Sequence, residues 1–172
     1  MLRLISLALM VYSYFLVRIR LPELPQRIPT HFNAAGEADG WGSPDVLWTL
    51  LGAQVLVCVV FLAVPYLGQL FPGAVNLGCR RLSDYSPEQR LRILPLLHDW
   101  MGYMSIVANL FFVAMLHELI HAAEQPHPRL PIGWPLGLLL GGALGLTVCY
   151  LIRINRVAKE VDASQRPTSV TP

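Results

Sequence analysis

Charge is what this chain has least of. Asp, Glu, Lys and Arg make up 14% of its 172 residues, against roughly a quarter in soluble domains. With hydrophobic residues at 54% and a mean hydropathy of +0.49, the solvent for most of the surface must be lipid. The net charge of +2 is small and dispersed, which excludes the dense basic face that nucleic acid requires. Cysteine is scarce as well. Cys58 and Cys149 fall inside apolar runs and Cys79 stands alone in a basic loop, a pattern with no disulfide framework and no cysteine metal motif. No charged residue lies in the middle of an apolar run, so a transporter, whose sites usually mark themselves that way, has little support.

What the chain does have is four apolar runs. The first, residues 4–17 between Arg3 and Arg18, is short against the about 20 residues a span needs. Snorkelling of both arginines, with Ile19 and Leu21 adding apolar surface, extends it to a span of about residues 2–20. A basic start before a short apolar core also spells a signal peptide. No small-x-small cleavage site follows, because the chain runs into Arg18-Ile-Arg20-Leu-Pro, so an uncleaved span is expected. The second run, about 46–70, is free of charge, with Pro65 inside it and Trp41 and Trp48 suited to the interface at its start.

Past a basic stretch with Arg80, Arg81, Arg90 and Arg92, the order Ser86-Pro87-Glu88-Gln89 reads as a helix start. Ser86 is the N-cap, Pro87 sits at N1 and Gln89 closes a capping box. Pro95 is expected to bend this surface-lying helix before a third span at about 100–120, whose Asn109 needs an interhelical partner. The fourth span is about 131–152. Gly133, Gly137, Gly141 and Gly145 recur along it every fourth residue, a ladder that lets another backbone approach, either within the bundle or across a homodimer. Residues 1–154 thus form one membrane domain, and 155–172 are expected to be a disordered cytoplasmic tail. The fold class is an all-α integral membrane protein with four transmembrane helices.

Lysine and arginine counts near the span ends orient it. Arg3, the four arginines of the second loop, and Arg153, Arg156, Lys159 and Arg166 fall on one side. They outnumber Arg18, Arg20, Arg27 and Arg129 on the other. Both termini should therefore be cytoplasmic, and the first and third loops should share the outer face.

The first of those loops carries most of the polar chemistry. In Ile28-Pro-Thr-His-Phe-Asn-Ala-Ala-Gly-Glu-Ala-Asp-Gly-Trp-Gly-Ser43, the candidate binding residues are His31, Asn33, Glu37 and Asp39. Three glycines within it, and three prolines before and at its start, stiffen and turn the backbone more than a plain connector requires. Together with Leu24-Pro25, the stretch through residue 43 resembles the LP-x-x-IP-x-H-[FW]-N-x-x-G-E-x-D-G-[WY]-G-S-K pattern at the front of SdpI-like toxin-immunity membrane proteins. The resemblance is strong over about residues 20–75. One departure is Pro44, where the family usually has Lys, which removes a cation at the mouth of the second span. The chain also ends before the second membrane domain of longer members. The resemblance implies a bacterial plasma-membrane protein without established enzymatic activity, linked in some members to immunity and signalling; with the loop on the outer face, an extracytoplasmic peptide or protein partner is the expectation.

A competing motif closes the third span, at His117-Glu118-Leu-Ile-His121-Ala-Ala-Glu124-Gln-Pro-His127. It fits H-E-x-x-H, in which two histidines one helical turn apart hold zinc and the glutamate activates water. His127 falls at the third-ligand spacing of the longer metzincin pattern, but Glu124 stands where that pattern has glycine. At about 100° per residue, His117, His121 and Glu124 share a helix face. A metal site of His117 and His121 with His31, Glu124 or His127 is the alternative, with Glu118 as its catalytic base. The bland reading is a solvated helix end.

Overall fold

A computed structural model describes residues 1–78, 80–131 and 133–164. The order is α1 (Leu2–Arg20), a hairpin of β1 (Ile28–Phe32) and β2 (Ala38–Gly42), α2 (Val46–Leu70), α3 (Pro87–Ala123) and α4 (Gly133–Ser164). All four helices are long and apolar enough to cross a membrane. The expected class therefore holds, with one small antiparallel sheet added in the first loop.

α3 is the central element and packs on each of the other three helices. It runs parallel to α1, where Tyr12 meets His117 and Arg20 meets Glu124, and antiparallel to α2 and α4. Two apolar clusters form along it. At the hairpin end, Leu116, Leu119 and Ile120 pack with Val17, Leu47 and Ile28. At the far end, Ile93, Leu96 and Leu97 pack with Leu82, Tyr85, Tyr150, Ile154 and Ala158. Between them on α3 lies a polar group. Gln54 Nε2 donates to Asn109 Oδ1 at 2.8 Å, and Asn109 Nδ2 donates to the Ser105 carbonyl at 2.8 Å. Both amides are buried, so Asn109 has the interhelical partner its position demands.

Ser86 caps α3 as its sequence predicts, accepting from Gln89 N while Gln89 Oε1 accepts from Ser86 N at 2.9 Å. The surface helix expected before the third span does not form separately. Residues 87–99 are the first turns of α3, and Pro95 lies inside one continuous helix. The reason is packing: Ile93 and Leu97 are buried against α4 and the second loop, which outweighs the hydrogen bond that Pro95 cannot donate.

The same contact corrects the expected disordered tail from residue 155. α4 continues to Ser164, burying Ile154, Ala158 and Val161 on one face. Gln89 Nε2 clamps it by donating to the Ala158 carbonyl at 3.1 Å and to Asp162 Oδ1 at 2.9 Å. Residues 165–172, the rest of that expectation, lie outside the described residues.

The glycine ladder also needs correction as a feature of bundle packing. A Cβ added at Gly133, Gly137, Gly141 or Gly145 would meet nothing, whereas one at Gly142 would come within 3.1 Å of Val107 on α3. α4 approaches α3 through Gly142, and the ladder faces away.

Candidate functional site

The hairpin is rooted by burial. Ile28 is fully buried in the cluster around Leu116 and Val17, and Pro29 beside it is buried as well. From that root the strands pair Ile28 with Gly42, Pro29 with Trp41, His31 with Gly40 and Phe32 with Ala38, with irregularities on either side of His31. A Cβ on Gly40 would sit 2.8 Å from the His31 Cβ, so only glycine fits opposite this histidine.

The four candidate binding residues divide into two pairs with different work. Asn33 builds the turn: its Oδ1 accepts from Ala35 N at 2.9 Å and from Glu37 N at 3.0 Å, the Asx-type bonding that asparagine supplies in turns. Gly36 follows at φ 77°, a left-handed conformation natural to glycine. Glu37 docks the third loop. Arg129 donates to Glu37 Oε1 at 2.7 Å, Leu130 N donates to the Gly36 carbonyl at 2.8 Å, and Ala38 N to the Pro128 carbonyl at 3.2 Å. Residues 128–130 thus lie along the hairpin like a short added strand.

His31 and Asp39 do neither job. They face each other across the strands, His31 Nδ1 and Asp39 Oδ1 2.5 Å apart, with the two side chains 73% and 45% exposed. The contact orients the imidazole, and Nε2 has no hydrogen-bond partner among the described residues.

The H-E-x-x-H residues are likewise dispersed among separate partners. His117 Nε2 shares a 2.6 Å hydrogen bond with the Tyr12 hydroxyl, and the two rings stack. Trp134 Nε1 donates to Glu118 Oε1 at 3.0 Å. Glu124 pairs with Arg20, whose Nε also meets Glu23 at 3.4 Å. His121 is exposed and lines a cavity of about 560 Å³ with Ala35, Glu118, Gln125, Arg129, Leu130 and Pro131. His127 lines a separate recess beside Trp41 and Glu37. Among the described residues, no group of three His, Cys, Asp or Glu side chains is arranged to hold a metal ion. The candidate set of His117, His121, His31 and Glu124 is not brought together, and its donors do not fit the three or four protein ligands of a zinc site.

Sequence reasoning missed Arg129, Arg20, Tyr12 and Trp134. Arg129, Arg20 and Tyr12 act through partners about a hundred positions away, and Trp134 through Glu118 on another helix at a separation of 16. The only available signal was the inferred sharing of one face by the first and third loops.

Residues 4–57, covering α1, the hairpin and the first half of α2, match the family model described as Domain of unknown function (DUF1648). No curated protein and no solved structure matches the chain.

Proposed function

We propose that this chain is a non-enzymatic, SdpI-like module of the bacterial plasma membrane that binds an extracytoplasmic peptide or protein through its hairpin, in toxin immunity or sensing. The observation that carries this reading is the His31–Asp39 pair. It is exposed and polar, and it stands on a hairpin that Ile28, Asn33 and the Glu37–Arg129 contact hold rigid. Fixed, exposed side chains that contribute nothing to packing are what a recognition surface supplies. The distribution of Lys and Arg supports placing both termini in the cytoplasm and the hairpin outside. The zinc-hydrolase alternative draws on the spelling of the motif and lacks an assembled donor set.

The test is protection of a sensitive bacterial strain against a peptide toxin when the chain is expressed. His31→Ala and Asp39→Ala are expected to lower protection about tenfold or more at unchanged membrane levels, the loss of a central contact. His117→Ala should leave it within about twofold. Protection that survives both hairpin substitutions counts against the proposal. Zinc-dependent hydrolysis abolished by Glu118→Gln would favour the alternative.

A further inference from the structure

Four carboxylates at the hairpin end are matched to a partner bearing positive charge or able to carry it, and a fifth, Asp45, is exposed and accepts from the Ser43 hydroxyl. Glu23 and Glu124 share Arg20, Glu37 meets Arg129, and Asp39 meets His31. Glu118 is different. It is half-buried in the last two turns of an apolar helix, and its one side-chain hydrogen-bond partner among the described residues is the neutral indole N–H of Trp134, on Oε1. A half-buried carboxylate without a counter-charge is costly.

The cavity of about 560 Å³ opens beside it. Glu118 and His121 line it from one face of α3, as their spacing of three residues requires, and Gln125 lines it from the turn just past the helix end. Among the described residues, neither the His121 ring nor the Gln125 amide has a hydrogen-bond partner, and Arg129, also in the lining, is already paired with Glu37. The wall therefore offers three acceptors: a carboxylate oxygen, an amide carbonyl and an imidazole nitrogen. Three acceptors match the three N–H donors of a primary ammonium group.

Resting on the partner-binding reading above, we infer that this cavity is a cation site that receives a basic side chain, an ammonium group above all, from the peptide partner. A metal ion fits less well. With His117 turned to Tyr12, Glu118 and His121 alone remain, fewer than the three protein ligands that even an open zinc site uses.

The experiment uses the full chain in lipid nanodiscs. The probes are Nα-acetyl-lysine amide, its uncharged counterpart Nα-acetyl-norleucine amide, and zinc chloride. Trp134 reports through its fluorescence, isolated as the difference between wild type and Trp134→Phe, and saturation-transfer NMR gives a readout independent of it. The lysine probe should bind saturably and the norleucine probe should not. Glu118→Gln should weaken binding about tenfold or more, the loss of one charge-assisted hydrogen bond, while Glu118→Asp retains most of it. If Glu118→Gln does not fold, Gln125→Ala and His121→Ala carry the test, each weakening the lysine probe severalfold. Equal binding of both amides, or undiminished binding to these variants, overturns the inference. Zinc binding that requires Glu118 and His121 and excludes the lysine probe overturns it in favour of a metal. A failed probe with protection still lost in His31→Ala removes the cavity site and leaves the hairpin reading. Protection retained in His31→Ala and Asp39→Ala removes that reading by itself.

Discussion

Two residues decide how the hairpin is held. Gly36 is at φ 77°, and a Cβ there would lie 2.7 Å from the Leu130 carbonyl oxygen at the end of the docked segment. Gly36→Ala therefore combines a left-handed strain with a backbone clash and should destabilise the protein by about 2–3 kcal/mol. Gly137→Ala, at a position where a Cβ meets nothing, is the matched control and should be neutral or slightly stabilising in its helix. Thermal unfolding of both variants in nanodiscs checks the pair; equal melting temperatures would remove the close approach from the account. Asn33→Ala loses two backbone-to-side-chain bonds and should cost about 1–2 kcal/mol. At this scale the sequence was only half legible. Asn33 and Glu37 were visible as polar loop residues, but their work is internal, because the loop that Glu37 binds lies 92 positions away.

At the scale of elements, the helices pair through a few specific contacts laid over non-specific apolar packing. In lipid the apolar surface itself gives little drive to associate, so polar pairs and small residues choose the partners. The buried Gln54–Asn109 bond joins α2 to α3. A double-mutant cycle with Gln54→Leu and Asn109→Leu should show coupling of about 0.6–1.7 kcal/mol, and additive losses would contradict it. Gly142 sets how α4 meets α3. Gly142→Leu should detach that contact and lower the melting temperature, while the adjacent Gly141→Leu is tolerated. The four apolar runs were readable because bilayer thickness dictates their length, and Ser86-Pro87-Glu88-Gln89 was readable because a cap is a local device. Pro95 misled for the opposite reason. It disfavours a helix locally, and only the packing of Ile93 and Leu97 on α4 overrules it. The helix from residue 155 to Ser164 escaped notice likewise, since Ala158 and Val161 are few and small until α3 lies beside them.

For the whole molecule, the two ends of the bundle differ in kind. One end is basic, with Arg80, Arg81, Arg90, Arg92, Arg153, Arg156 and Lys159 around the extended α3–α4 pair. The other carries the hairpin, the docked third loop and the Glu118 cavity in one continuous surface. Recognition of an extracytoplasmic partner requires that second end to face away from the cytoplasm. The most direct measurement replaces Cys58, Cys79 and Cys149 by serine, places a single cysteine at Ala34 in the exposed hairpin turn, and treats intact cells with a membrane-impermeant maleimide. Labelling before permeabilisation, and none at a second single cysteine placed at Ser83 in the opposite loop, is the predicted result. Labelling at Ala34 only after permeabilisation would turn the molecule over and contradict an extracytoplasmic binding surface.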